Sequence, residues 1–316
     1  MAVIETLHLK KYYGRSRGIE DVTFRVEEGE IYGFIGPNGA GKSTTIRTLL
    51  NFIFPTAGSA KVFGLDVVTQ SEAIRRQVGY LPSEVGYYDD MTVRALLEYA
   101  AGFYGGDRRD HRRRLHELAD AFELDLRKRV HSLSMGNRKK VGIVLALLHR
   151  PKLLILDEPT GSLDPLMQLR LFEVLAEENR SGTTIFFSSH ILSEVQRLCH
   201  RVAIIKDGRI LKVEDMAGLR RSHFQKVRAV FAEDPGVPAA GGLGLAGIVH
   251  QAWDGRTLDL LYNGDVNDLV RLLAGHRLES LRIEEPSLEE IFLHYYGKQG
   301  RDSGKQGGNG KEAGAR

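Results

Sequence analysis

A glycine, four residues, and then Gly-Lys-Ser stand in the stretch Gly36-Pro37-Asn38-Gly39-Ala40-Gly41-Lys42-Ser43-Thr44. These residue types at this spacing can hold a triphosphate. Backbone N–H groups meet several negative charges cheaply, and side chains would crowd them, so the loop needs Gly36, Gly39 and Gly41. Lys42 can then reach the β- and γ-phosphates, and the Ser43 hydroxyl can hold Mg²⁺. Such a P-loop works only between a strand and a helix, and both are expected here. Residues 31–35 read as a buried strand. Ile46, Leu49, Leu50 and Ile53 fall on one face of a helix whose N-terminus points at the phosphates.

A second constellation is Leu153-Leu154-Ile155-Leu156-Asp157-Glu158: four apolar residues of a buried strand, then two carboxylates at its carboxyl end. Successive strand side chains point opposite ways. One acid can face the metal and the other the attacking water; Asp157 is read as the metal ligand, acting through water, and Glu158 as the candidate general base. A third is Leu133-Ser134-Met135-Gly136-Asn137, opening a helix that Ser134 or Asn137 can cap. Arg138, Lys139 and Lys140 follow at once, and cations in a first turn oppose the helix dipole. Either an anion bound at that end removes the conflict, or the three are a solvated basic patch. His190 follows the apolar strand 184–188, at the end of a strand expected beside the phosphates, where it can touch the γ-phosphate. The run Arg108, Arg109, Arg112, Arg113, Arg114 reads as a solvated helix face, with anionic lipid headgroups as the other reading.

These groups need a scaffold. A chain of 316 residues suits about two domains, and 42% hydrophobic with 27% charged residues is ordinary for a globular protein. Residues 297–316 hold five basic against two acidic residues, which accounts for the whole net charge of +3. The remainder is formally neutral, which argues against a nucleic-acid-binding fold. The single cysteine, Cys199, excludes an internal disulfide and shares an apolar face with Ile191, Val195 and Leu198. The start of the chain has neither a basic nor an apolar leader segment, and no run approaches a membrane-spanning length.

Residues 3–28 read as two antiparallel strands, with Val22, Phe24 and Val26 inward. A short strand is expected at 60–63, a helix at 72–77 and a buried strand at 78–81. From about 89 to 149 the pattern is helical, with faces at Val93, Leu96, Leu97, Ala100; at Leu115, Leu118, Ala119, Phe122; and at Val141, Val144, Leu145, Leu148. Strands at 153–156, 184–188 and 202–206 then alternate with helices from about 166 to 180 and from 191. Such alternation means a parallel sheet under helices, with its site at the carboxyl ends of the strands. The fold class is therefore α/β: a P-loop ATPase core, mainly parallel sheet with an antiparallel β subdomain, plus a helical subdomain and a small C-terminal α+β domain. The boundaries are 1–218 for the ATP-binding domain (helical part about 89–149) and 219–296 for the accessory domain. Its strands are expected at 226–231, 248–253, 258–262 and near Leu281. Its helices carry Val266, Leu269, Val270, Leu273 and Leu288, Ile291, Phe292, Tyr295. The glycine-rich segment 297–316 reads as disordered.

In this order the motifs resemble the ATP-binding subunit of an ABC transporter, over about residues 3–218. Residues 36–44 match Walker A, 133–137 the family signature, 153–158 Walker B, 161–164 the D-loop and His190 the switch histidine. Tyr13 matches the aromatic residue that stacks on adenine. The resemblance implies ATP and Mg²⁺ as cofactors and a pair of ATP-binding subunits set head to tail, identical or related. Ser134 and Gly136 of one chain then close on the phosphates of the other. It also implies a multi-span permease partner, a peripheral place on the cytoplasmic face of the membrane, and no nucleic acid. Two departures stand out: Met135 and Asn137 replace the usual Gly and Gln of the signature, and Ser83, beside Glu84, replaces a loop glutamine that touches Mg²⁺. Both, with the ending 286–292, resemble the drug and antibiotic exporter branch of the bacitracin-resistance type. A soluble ATPase of DNA repair or translation is the alternative. Against it, Lys42 and Ser134 lie too close in sequence for an intervening long coiled coil, and the chain has one cassette. Docking of the permease is expected near 83–90, with Glu84, Tyr87 and Tyr88 as anchors.

Overall fold

The computed structural model describes residues 1–105, 107–217, 224–233, 245–284 and 286. The chain divides into two compact units, Met1–Met216 and Ala217–Arg316.

In the first unit ten strands form one mixed sheet. Strands β1 (Ala2–Tyr13), β2 (Ser16–Glu27), β4 (Ala57–Val62) and β5 (Leu65–Asp66) make its antiparallel part. Strands β3 (Ile31–Ile35), β6 (Val78–Leu81), β7 (Leu153–Asp157), β8 (Thr184–Ser189) and β9 (Arg201–Lys206) run parallel in the order β9-β3-β8-β7-β6. Strand β10 (Arg209–Asp215) joins the two parts, antiparallel to β9 and bridged to β2 at Arg209 and Asp21. The sequence reading lacked both β5 and β10. Each is short or half-exposed and carries no clean apolar alternation. Phe24 of β2, Phe34 of β3 and Phe186 of β8 pack with ring centroids 5.2–5.6 Å apart, so aromatic contact ties the antiparallel part to the parallel part.

Helix α1 (Lys42–Leu49) follows β3, and α2 (Ser71–Arg75) precedes β6. The helical face expected to run to Ile53 stops sooner. Leu50 closes the helix, Asn51 takes φ +55°, and Ile53 is only half-buried beyond it. Three helices fill the stretch between β6 and β7: α3 (Val93–Ala101), capped by Thr92; α4 (Arg108–Ala121), capped by Asp107; and α5 (Met135–Leu147), capped by Ser134. Helix α5 is not the one-sided helix that its spacing suggested, because it is buried nearly all round from Lys139 to Leu147. On α4 the basic run divides: Arg113 pairs with Asp110, and the mostly buried Arg114 pairs with Glu178. Helices α6 (Pro165–Arg180) and α7 (Leu192–Leu198) complete the unit. Cys199 is buried at the end of α7, and burial pushes its thiol far up.

In the second unit β11 (Gln225–Phe231), β12 (Ile248–Asp254), β13 (Thr257–Tyr262) and β14 (Leu278–Glu284) form an antiparallel sheet in the order β12-β13-β11-β14. Helix α8 (Val266–Ala274) sends Leu269 and Leu273 into a core with Val227, Phe231, Leu258 and Tyr262. The last helix expected, with Leu288 to Tyr295, and the segment 297–316 lie outside the described residues. So does most of the expected loop after Glu233.

Candidate functional site

Parallel pairing brings the chemical residues to one edge. Ile35 stands opposite Ser189, and Asp157 opposite Ser188, so β3, β8 and β7 end side by side. Beyond β3 the chain turns through residues 36–41. A Cβ on Gly36 would lie 2.2 Å from the Ile205 carbonyl oxygen, and Gly41 has φ +109°, so neither position tolerates a side chain without strain. Gly41 then opens α1, whose first residue is Lys42.

The Lys42 side chain is 5% exposed. Its Nζ donates to the Gly36 carbonyl at 2.7 Å and lies 3.2 Å from Glu158 Oε1. The same carboxylate oxygen is 3.3 Å from His190 Nδ1. Burial works to raise the Glu158 carboxyl, but the Lys42 ammonium and the His190 ring outweigh it and hold the group below the usual carboxylate range. Glu158 also takes φ +48°, an uncommon backbone conformation for a side chain to hold, which turns it away from the strand direction.

Its neighbour Asp157 is 1% exposed and accepts a 2.6 Å hydrogen bond from Ser188 Oγ. Ser188 is a candidate-site residue that sequence reasoning missed. Its signal was present, a hydroxyl ending an otherwise apolar strand, and only the strand register shows which acid it serves. The following Ser189 turns the other way and donates to the buried Glu194 of α7 at 2.6 Å.

One cleft of about 280 Å³ is lined by Tyr13, Arg17, Asn38, Lys42, Ser43 and Glu158, along with Gly39, Gly41 and Thr44. It thus gathers the stacking candidate, most of the phosphate loop and the candidate base. Pro37 and Ala40 lie in the same turn, with the Ala40 N–H donating to the Pro37 carbonyl. Tyr13 ends β1, half-exposed, with the Lys11 ammonium 5.3 Å from its ring centroid. Ser43 and Asp157 offer oxygen donors, the type that suits Mg²⁺. Among the described residues no three His, Cys, Asp or Glu side chains gather into a separate metal site. One or two protein oxygens beside phosphate oxygens suffice for Mg²⁺.

Ser134 and Gly136 do not line this cleft. Ser134 Oγ accepts from the Asn137 N–H at 3.3 Å, Met135 is 75% exposed, and a Cβ on Gly136 would lie 2.7 Å from the Ser162 carbonyl oxygen. The basic patch that follows is not solvated, contrary to one of the two sequence readings. Arg138 pairs with Asp89 at 3.0 Å, and Lys139 and Lys140 are buried.

A glycine loop between a buried parallel strand and a helix, with acids ending the next parallel strand but one, defines a P-loop ATPase fold. Residues 19–161 match the ABC transporter family model. The bacitracin transport ATP-binding protein BcrA of Bacillus licheniformis is 39% identical over 213 residues, covering 66% of this chain and 69% of that protein. The linearmycin resistance ATP-binding protein LnrL of Bacillus subtilis is 28% identical over 313 residues, covering 95% of this chain and all of that one. A solved structure described as the ATP-binding subunit of an ABC transporter superposes with a TM-score of 0.66 at 36% identity, covering 69% of this chain and 92% of its own. The chain belongs to the ATP-binding proteins of ABC transporters. Among the described residues no helix is long and apolar enough to cross a membrane.

Proposed function

We propose that this chain is the ATP-hydrolysing subunit of a membrane exporter of a drug, antibiotic or lipid-like compound. The observation that carries the ATPase reading is the meeting of Lys42, Glu158 and His190 around one carboxylate oxygen, at the ends of adjacent parallel strands. The backbone N–H groups of residues 36–44 and the Lys42 ammonium bind the phosphates, and Tyr13 stacks on the adenine. Bound Mg²⁺, held through Ser43 and Asp157, supplies charge neutralisation at the phosphate oxygens. Ser188 fixes the orientation of Asp157. Glu158 takes a proton from the attacking water, and His190 orients Glu158 and touches the γ-phosphate. Ser134 and Gly136, away from the cleft, serve the cleft of a second chain. The export reading is supported by relatives named for bacitracin transport and linearmycin resistance.

The partner is a multi-span permease, which holds the chain at the cytoplasmic face. The expected anchors need one correction. Tyr87 points inward and donates to the Arg138 carbonyl at 3.2 Å, and burial pushes its hydroxyl far up. Tyr88 is exposed and meets the edge of Tyr99 on α3, which meets Phe103 just past the end of α3, so an open aromatic strip runs from the loop across α3. That strip docks an apolar-faced helix of the permease. Co-expression with a candidate multi-span permease, followed by fractionation, tests it. The parent chain sediments with membranes, and Tyr88→Ala with Phe103→Ala releases it while ATP turnover persists. A parent chain found wholly in the soluble fraction overturns the exporter reading.

A further inference from the structure

Helix α5 carries three consecutive cations, Arg138, Lys139 and Lys140, just after its first three residues, and the middle one is out of place on electrostatic grounds. Lys139 is 3% exposed. Its Nζ donates to two backbone carbonyls, Pro82 at 3.1 Å and Ser83 at 3.0 Å, and among the described residues it pairs with no carboxylate. Burying an ammonium against neutral partners costs stability. Burial pushes the group down to about 8, against the opposing pull of the Asp157 and Glu158 carboxylates. Charge burial at this position therefore opposes folding rather than aiding it.

Two further links join the same loop to the same helix, and a third joins it to the turn just before that helix. The Tyr87 hydroxyl donates to the Arg138 carbonyl, Arg138 pairs with Asp89, and the His131 N–H donates to the Asp89 carbonyl at 3.2 Å. The approach is close as well: a Cβ on Gly142 would lie 2.5 Å from the Tyr87 hydroxyl and 3.1 Å from Val85. Lys139 differs from these links by its place. It grips the first two residues after β6, where the loop leaves the catalytic sheet, and it does so one turn beyond Ser134.

We propose that Lys139 is a positioning residue that clasps the loop at 82–83 to the start of α5, so that loop and Ser134 move as one body. This rests on the reading of the chain as a two-chain ATPase driven against a permease. Ser83 is too short to reach the metal as the usual glutamine does, so the loop's message travels through its carbonyls to Lys139 and along α5 to Ser134. A displacement of the loop by the permease then changes where Ser134 stands relative to the second chain's phosphates. ATP closure moves the loop by the same route.

The test uses the full chain. Lys139→Met keeps the volume and removes the donors, while Lys139→Arg keeps them. Lys139→Met should bind fluorescent ATP within about twofold of the parent and keep or raise Tm, because a buried charge is gone. Its kcat should fall at least about tenfold, and Lys139→Arg should recover a third or more of the parental value. A kcat for Lys139→Met within twofold of the parent overturns the clasp, as does a loss of kcat accompanied by lower Tm with no rescue by Arg. If Lys139→Met does not fold, amide exchange in the Glu158→Gln chain decides. Adding Mg-ATP should protect residues 82–90 and 134–140 together, and protection of one stretch alone overturns the proposal. A parent chain that turns over no ATP at any concentration sinks the ATPase reading instead. The exchange experiment still judges the clasp in that case.

Discussion

Two buried lysines mark two regions of the first unit that handle charge in opposite ways. At the mouth of the parallel strands Lys42 meets a carboxylate, and a histidine shares that oxygen. At the start of α5 Lys139 meets only carbonyls. The first region is electrostatically complete within one chain. The second contains an ammonium that its surroundings neutralise poorly and a capping serine turned away from the cleft. Groups that bind and cleave must be satisfied at rest and released on demand, whereas groups that transmit motion need only hold on.

The largest expected effect breaks the first region. Glu158→Gln should leave nucleotide binding intact and lower turnover by about 10²–10⁴, the usual worth of a general base, with ATP trapped in a stable dimer. Turnover within threefold of the parent would remove Glu158 from its role. Next, Lys42→Ala loses a charge-assisted phosphate contact, so fluorescent-ATP titration should show affinity weaker by roughly 10–100-fold. Unchanged affinity would mean that the loop does not cradle phosphates.

A smaller effect tests whether the two regions meet across chains. Mixing Ser134→Arg with Lys42→Ala chains, each inactive alone, should restore roughly a quarter of parental turnover, since half of the dimers keep one of two composite sites. Full-rate turnover by a monomer, independent of protein concentration, would contradict it. The smallest effect concerns stability alone. Below pH 8 folded and unfolded chains both protonate Lys139. Between about 8 and its ordinary 10.5 the unfolded chain keeps the proton that the folded chain has lost. Stability therefore rises with pH across that window. The parent should gain a few degrees of Tm over Lys139→Met there, and parallel Tm curves for the two chains would refute the buried-charge account.

The first region was legible in the sequence because its chemistry dictates residue type, spacing and flanking elements together. A glycine-lysine-serine loop needs a strand before it and a helix after it, and a pair of acids needs a strand to carry it. The second region was not legible, because contiguous Arg138, Lys139 and Lys140 look the same whether they are solvated or buried. Only packing shows that α5 is covered on nearly every side and that a loop some fifty residues upstream lies over its first turns. Tyr87 and Tyr88 make the same point, since adjacent and identical residues face opposite ways. Strand β10 escaped because a half-exposed strand leaves no alternation to read.

Under the proposed roles, the Lys42–Glu158 contact gives the substrate a say over its own cleavage. Lys42 cannot serve both a phosphate and Glu158 as it now serves the carboxylate. As the ammonium turns to the incoming anion, Glu158 loses the strongest of the groups holding its proton affinity down, and the phosphate charge pushes that affinity up further. In the proposed role, Glu158 is therefore weakest as a base when there is nothing to cut and strengthens as the phosphates arrive.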